Sequence, residues 1–208
     1  MIVAPTFNLE LALSNVEGRS LVAGLDEAGR GPWAGPLVAA AVIFNIATFT
    51  LEGIRDSKTL SAKQRAELAE QIKSSAVTWA IGEVSHEEID QHGIQLANKL
   101  AMKRAIDHLS VTPDYILTDY VGRIEFRTPF AAIVRGDSVS LSIAAASIVA
   151  KVYRDGLMVR YAEQYPEYGF DRHKGYGTRF HAAMLAKYGP CPIHRFSFTP
   201  VAAAAKTR

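Results

Sequence analysis

The chain of 208 residues contains a single cysteine, Cys191, and no internal repeat. One cysteine excludes an internal disulfide and a cysteine-cluster zinc site, and it suits a reducing compartment. No apolar run approaches the roughly 18 residues that a membrane span needs. The first residues, MIVAPTFNLELAL, also lack the basic region of a secretory signal. We therefore expect a cytoplasmic protein that does not act at a membrane.

The formal net charge of +2 conceals an uneven distribution of charge along the chain. Residues 151–208 carry ten Lys and Arg against four Asp and Glu, whereas residues 1–150 carry 13 against 17. A basic C-terminal quarter beside a more acidic body is typical of a protein with a polyanionic partner. A basic surface that is merely solvated explains the same counts, so the distribution of charge alone does not decide between the two.

Apolar and β-branched segments alternate with amphipathic ones along most of the chain. The former predict strands at 22–26, 37–44, 77–84, 115–118 and 130–134. Capping boxes that begin at Ser61 and Ser85 predict helix starts, and helical spacing continues through 93–109, 143–165 and 178–187. These elements predict an α/β or α+β sheet with mixed strand pairing. We expect a catalytic domain at 1–165, with a lead-in at 1–19, and a small basic helical extension at 166–208.

Acidic residues follow three of the predicted strands. Asp26, Asp119 and Asp137 each lie at or just beyond a strand end, and Glu27 adjoins the first of them. If those strands are neighbours, the carboxylates converge at one edge of the sheet, where open α/β sheets bind ligands. Clustered carboxylates repel each other, and a hard cation such as Mg²⁺ or Mn²⁺ relieves the repulsion. The alternative is that these acids are ordinary turn and cap residues, and the strand order that would decide cannot be derived from the sequence.

The segment after Glu27 reads AGRGPWAGP and holds three glycines, Gly29, Gly31 and Gly35. It fits neither the dinucleotide-binding nor the P-loop pattern, because a strand follows it where those motifs require a helix. One interpretation is a plain tight turn. The other is a loop whose backbone approaches a ligand closely while Arg30 contacts phosphate. The pattern favours neither.

The motifs taken together resemble the ribonuclease HII family. DEAGRGPWAGP, DSKTLS at 56–61, ILTDY at 116–120 and RGDSVSLSIAAASIVAKVYRD at 135–155 match that family in order, as do HKGYGT at 173–178 and PIHRFSF at 192–198. The resemblance spans about residues 20–200 and is closest to the bacterial members. It implies an RNase H-like fold, a five-stranded mixed sheet flanked by helices with a C-terminal helical extension.

The resemblance also implies an activity and a set of site residues. The activity is endonucleolytic hydrolysis of RNA in RNA–DNA hybrids, including single ribonucleotides embedded in duplex DNA. Asp26, Glu27, Asp119 and Asp137 match the family's catalytic, metal-binding acids. The backbone of Gly29, Arg30 and Gly31 would read the ribose 2′-hydroxyl, and Tyr176 would stack on the sugar at the RNA–DNA junction. Two Mg²⁺ or Mn²⁺ ions would flank the scissile phosphate and leave 5′-phosphate and 3′-hydroxyl ends.

Basic side chains in the matched motifs are candidates for phosphate contacts, which position a nucleic acid without reading its bases. They are Arg30, Lys58, Lys151 and Lys174. We expect a monomer whose partners are RNA–DNA hybrids and duplex DNA containing ribonucleotides. Two alternatives stay open. A junction resolvase on a similar fold would cut branched DNA, and a binding module with a structural metal would bind nucleic acid without cutting it.

Overall fold

A computed structural model describes residues 4–54, 57, 60–119 and 124–206. Five strands and eight α-helices are found in these ranges. The strands are β1 (Val22–Ala28), β2 (Leu37–Phe44), β3 (Ala76–Val84), β4 (Tyr115–Asp119) and β5 (Phe130–Ile133). The helices are α1 (Asn8–Glu17), α2 (Ala62–Ser75), α3 (His86–His92), α4 (Ile94–Asp107), α5 (Leu141–Gln164), α6 (Phe170–His173), α7 (Arg179–Tyr188) and α8 (Thr199–Lys206).

The strands form one sheet in the order β3-β2-β1-β4-β5. β1 lies at its centre, antiparallel to β2 and parallel to β4, and β5 continues the parallel half. The prediction of a mixed sheet flanked by helices is therefore confirmed. The three strands that carry or precede the aspartates are adjacent and parallel, which the sequence alone could not show.

β2 is buried on both faces, as its continuous apolar sequence predicts. Leu37, Ala39, Ala41 and Ile43 contribute to the cluster that includes the buried residues of α4. The alternate residues of β2 contribute to a second cluster with α2 and α5. The sheet is thus the middle layer of three, with α4 on one side and α5 on the other.

Helix α5 crosses β1 at a very short distance because both elements use small side chains. A methyl group on Gly24 would lie 2.0 Å from the backbone of Ser142, so no other residue fits at this crossing. The small residues that follow Ser142 in α5 are buried against the sheet. This contact brings Ser147, in the second turn of α5, within hydrogen-bonding reach of Asp26.

The C-terminal extension packs directly on the glycine turn. The Trp33 N–H donates to the Gly175 carbonyl (2.8 Å), and Ala34 forms an antiparallel bridge with His194. Ala34, Met158 and residues of the extension share a third buried cluster. The division at residue 165 stays a prediction, and many contacts run across it.

Both predicted capping boxes are present, with reciprocal hydrogen bonds at Ser61–Gln64 and Ser85–Glu88. β1 is two residues longer than predicted, so Asp26 lies inside the strand rather than at its end. Helices α1 and α8 were not predicted. None of the helices described here has the length and apolar character to cross a bilayer.

Candidate active site

Three aspartates converge at the carboxyl edge of the parallel strands. Pairing between β1 and β4 ends at Leu25 and Thr118, and the next residues are Asp26 and Asp119. Asp137 lies in the short 3-10 turn that follows β5. One carboxylate oxygen from each of the three lies within 4.8 Å of the others. The Asp119 carboxylate also accepts a hydrogen bond from the Gly136 N–H (2.9 Å), which draws the turn after β5 toward β4.

Glu27 is not part of this trio, because adjacent residues of a strand point to opposite faces of the sheet. Asp26 shares a face with α5, and its carboxylate is hydrogen-bonded by Ser147. The Glu27 side chain lies on the α4 face, beside Asn98, and its Oε1 pairs with the Arg30 guanidinium (3.4 Å). Its Oε2 is buried, and no hydrogen-bond partner for it is found among the described residues.

The acids are held in an environment that opposes their ionisation. Burial, followed by the charges of Glu27 and Asp119, raises the pKa of Asp26 well above its usual value. Burial also raises the pKa of Glu27, together with Asp119, whereas Arg30 and Asn98 oppose this shift. A divalent cation among these oxygens would reverse the balance, because it favours the charged carboxylates. Buried carboxylates at this spacing thus fit a hard divalent metal such as Mg²⁺ or Mn²⁺.

A cleft of about 510 Å³ connects the acids with the glycine turn. Asp26, Glu27 and Asp119 line one part of it, and Gly29, Arg30 and Gly31 line another. Further lining residues are Ala28, Ser57, Arg65, Ser147, Lys151 and Tyr176. The structure thus brings most of the sequence-predicted site residues into one open depression.

Tyr176 stands beside the glycine turn with 43% of its surface exposed. A methyl group on Gly31 would lie 3.6 Å from its ring. The buried side chain of Arg154 joins the two segments, because it donates to the carbonyls of Pro36 (2.9 Å), Ala34 (3.2 Å) and Lys174 (3.0 Å). The exposed ring is therefore fixed at its base to the turn that it faces.

Three neighbouring histidines lie behind Tyr176, and the tautomer of each follows from its hydrogen-bond partners. His181 Nδ1 faces the Tyr176 carbonyl (3.0 Å) and must donate, so its Nε2 accepts from His194 Nε2 (3.0 Å). His194 Nδ1 then accepts from the Cys191 N–H (2.9 Å). His173 donates to the Tyr168 carbonyl through Nε2 (2.7 Å). Burial lowers the pKa of His181 and of His194 to about 4, in keeping with neutral rings.

Of the described lysines predicted to contact phosphate, Lys151 lines the cleft and Lys174 does not. Lys58 lies outside the described residues. Lys174 has a left-handed backbone (φ 51°), and its Nζ turns away to the Asp171 carbonyl. Lys151 does line the cleft, where its Nζ pairs with Asp155 (2.8 Å) and lies 5.8 Å from the centre of the Tyr176 ring.

Several residues that support the site were not predicted from the sequence. Ser147 carried a signal, since it is a polar residue among the small apolar residues of α5, and it hydrogen-bonds both Asp26 and Ser57. Asn98 and two buried arginines, Arg154 and Arg195, carried none. Their partners are distant in the chain, and no local pattern marks them.

The chain is similar in sequence to known proteins of one family. The family model described as ribonuclease HII matches residues 23–201. The ribonuclease HII of Acholeplasma laidlawii is 53% identical over 186 residues, which cover 89% of this chain and 91% of the relative. That of Pelotomaculum thermopropionicum is 51% identical over 186 residues, 89% of this chain and 70% of the relative.

Two solved structures show the same fold. Ribonuclease H2 from Pyrococcus horikoshii OT3 superposes with a TM-score of 0.77 at 26% identity, over 89% of this chain and 97% of that one. Bst-RNase HIII, solved in complex with Mn²⁺, has a TM-score of 0.68 at 20% identity, over 95% of this chain and 74% of that one. At that identity the second similarity concerns the fold alone.

Proposed function

The chain belongs to the ribonuclease HII family, and on that premise we propose that its cleft cuts duplex DNA at single embedded ribonucleotides as well as RNA in RNA–DNA hybrids. The family is one of metal-dependent ribonucleases H, endonucleases that act on RNA–DNA hybrids. The observation that carries the proposal is the single cleft in which the carboxylates and the glycine turn meet. The carboxylates are suited to the hydrolysis of a phosphodiester, and the glycine turn can distinguish a ribose from a deoxyribose beside the scissile bond.

The proposed roles follow from position. Asp26, Asp119 and Asp137 hold divalent metal, Mg²⁺ or Mn²⁺, and Glu27 completes the set from the opposite face of the sheet. Two such ions held by these carboxylates would supply Lewis-acid chemistry, activating water and stabilising the leaving 3′-oxygen, and the products would carry 5′-phosphate and 3′-hydroxyl ends. The protein's part is to hold the carboxylates close together; a bound cation would lower their pKa values, and any proton that they carry would pass to solvent.

The glycine turn and Tyr176 are proposed to hold the ribonucleotide. The backbone of Gly29, Arg30 and Gly31 can reach the 2′-hydroxyl, the group that distinguishes RNA from DNA. The exposed Tyr176 ring, which faces Gly31, would pack on the neighbouring sugar. Lys151 and Arg30 are suitably placed for phosphates, whereas Lys174 would need a different side-chain conformation and Lys58 stays a prediction. The cytoplasmic location and the monomeric state also stay predictions.

One cleavage assay tests the proposal. Labelled duplex DNA with one ribonucleotide, its all-DNA counterpart, a continuous RNA–DNA hybrid and a four-way DNA junction are each incubated with and without Mg²⁺ or Mn²⁺. We expect metal-dependent cutting of the first and third substrates, with 5′-phosphate ends. Cutting of the junction would indicate a resolvase, and binding without any cutting would indicate a binding module. If the hybrid is cut and the duplex with a single ribonucleotide is not, the proposal of cutting at embedded ribonucleotides is refuted, whereas activity on RNA–DNA hybrids stands.

A further inference from the structure

A buried arginine from the C-terminal extension lies directly under the glycine turn. The Arg195 side chain is fully buried, and its guanidinium donates to four backbone carbonyls. The acceptors are the carbonyl oxygens of Gly29 (2.7 Å), Arg30 (3.1 Å), Gly35 (2.9 Å) and Pro36 (3.1 Å). One side chain therefore holds both ends of the turn from below.

Burying the charged guanidinium of Arg195 costs free energy that an apolar side chain at this position would not cost. Burial, with a contribution from the charge of Arg154, lowers the pKa of Arg195 to about 9, so the group is still protonated at neutral pH. A planar guanidinium offers donors in fixed directions, and few other side chains could bond four carbonyls at once. Its presence fixes the orientation of the peptide planes as well as the path of the backbone.

The orientation of two peptide planes decides where their N–H groups point. The described peptide bonds are trans, so each carbonyl and the N–H of the next residue point in opposite directions. The carbonyls of Gly29 and Arg30 point inward to Arg195. The N–H groups of Arg30 and Gly31 consequently point outward, and both residues line the cleft. Within the described part of the chain, neither N–H finds a hydrogen-bond acceptor.

We propose that Arg195 is a positioning residue for ribonucleotide selection. By holding the Gly29 and Arg30 carbonyls inward, it keeps the Arg30 and Gly31 N–H groups together as a pair of donors for the 2′-oxygen of a ribose. This role for Arg195 rests on the proposed function of the cleft, and it adds the residue that orients the two N–H donors. A deoxyribose has no oxygen at that position and leaves both donors unpaired, which weakens its binding relative to ribose.

The test compares two buried arginines. Arg195→Lys keeps the charge but cannot bond four carbonyls. Arg154→Lys is the matched control, because Arg154 is equally buried and bonds Ala34, Pro36 and Lys174 but neither Gly29 nor Arg30. Any loosening of Tyr176 in this variant should affect both duplexes alike, because the sugar on which Tyr176 is proposed to pack is present in each. The affinity for a duplex with one ribonucleotide and for its all-DNA counterpart is measured by fluorescence anisotropy, with Ca²⁺ in place of Mg²⁺ to suppress cutting.

We expect Arg195→Lys to lower the ratio of the two affinities by about 10- to 30-fold, the equivalent of one or two misaligned hydrogen bonds. Its affinity for the all-DNA duplex should change little, and Arg154→Lys should keep the ratio within about threefold. A purely structural role predicts equal effects on both duplexes. An unchanged ratio in Arg195→Lys, or an equal fall in both variants, would overturn the proposal.

A second measurement needs no substituted protein and covers the case in which Arg195→Lys does not fold. In the wild-type chain, the amide proton resonances of Arg30 and Gly31 should shift downfield on binding of the ribonucleotide duplex and not of the all-DNA duplex. The absence of that difference also overturns the proposal. Equal affinity of the wild type for both duplexes would instead refute ribonucleotide recognition itself, and the two failures are therefore distinguishable.

Discussion

Replacing Asp26 with asparagine should remove cleavage and at the same time stabilise the metal-free protein. The two effects have one cause. The Asp26 carboxylate is buried within 4.8 Å of two others, an arrangement that fits the proposed metal binding and opposes folding. Asparagine is nearly isosteric, and its Oδ1 can still accept the hydrogen bond that Asp26 receives from the Glu27 N–H (2.8 Å). The substitution therefore removes charge and little else.

The magnitude follows from the spacing of the carboxylates. Two unit charges 4.8 Å apart repel by about 3.5 kcal/mol at an effective dielectric constant of about 20. The folded protein relieves part of this by retaining a proton, since the pKa of Asp26 is raised. We therefore expect a gain in the free energy of unfolding of about 1–3 kcal/mol, or roughly 2–10 °C in the unfolding midpoint for a chain of this size.

The gain should depend on pH with a definite sign. The folded pKa of Asp26 lies above its unfolded value of 3.8. Between the two values the folded state binds more protons than the unfolded state, so wild-type stability falls as the pH rises through that window. Asparagine does not titrate. The stability difference between Asp26→Asn and wild type should be small near pH 4 and largest at neutral pH.

Thermal unfolding followed by circular dichroism in EDTA, at several pH values, measures the difference. Asp107→Asn, which alters an exposed acid far from the cluster, is the control and should change the midpoint little. Added Mg²⁺ should stabilise the wild type by mass action and reduce or reverse the gap. If Asp26→Asn were neutral or destabilising in EDTA at pH 7.5, the reasoning from charge repulsion would be refuted.

Three further predictions concern the turn and its support. Tyr176→Ala should lower kcat/KM more for a lone ribonucleotide than for a continuous hybrid. Tyr176→Phe keeps the ring and should show no such difference between the two substrates. Equal losses of kcat/KM on both substrates in Tyr176→Ala would contradict a junction role. Gly29→Ala should cost at least about 2 kcal/mol in urea unfolding, because Gly29 has φ 101° and a methyl group would lie 2.1 Å from a buried guanidinium; Gly53→Ala, at φ 85° in open space, is the control and should cost clearly less. His181 and His194 have folded pKa values of about 4, below the unfolded value of 6.5. The free energy of unfolding should therefore fall as the pH drops from 6.5 toward 4, by up to about 1.4 kcal/mol per pH unit for each histidine. A His194→Gln variant with the same pH dependence as the wild type in urea titrations would refute this contribution of His194.

Local patterns predicted most of the fold. Alternation and β-branched runs predicted all five strands, and the side chains of Ser61 and Ser85 marked two helix starts, because these signals involve residues a few positions apart. The convergence of the acids was conditional on strand order, which depends on contacts between β1 and β4, more than 80 residues later in the chain. In the structure β1, β4 and β5 are adjacent, and the acids therefore do meet at one edge of the sheet.

Other features depend on contacts that no local pattern encodes. Asp26 and Glu27 are adjacent in the sequence, yet the pleat of β1 turns their side chains to opposite faces of the sheet. The predicted strand ended at residue 26, whereas β1 continues to Ala28, so the prediction did not place Glu27 within the strand. Helices α1 and α8 were missed. α1 is fixed by a tertiary contact, in which Glu10 accepts hydrogen bonds from the Ser140 hydroxyl (2.6 Å) and the Ser142 N–H (3.1 Å) at the start of α5. Buried arginines such as Arg195 leave no periodic signal, since their acceptors are backbone atoms.

The bond between Arg195 and the Gly29 carbonyl spans 166 residues, and this has a consequence for the order in which the protein is made. β1 and β2 can pair as soon as both have left the ribosome. At about 5–20 residues per second, Arg195 is synthesised roughly 8–33 s after Gly29, the residue whose carbonyl it bonds. Through that interval the nascent chain carries the first two acids beside a turn whose peptide planes are unfixed. The glycine turn thus gains its support from Arg195 only after all four acids have been made.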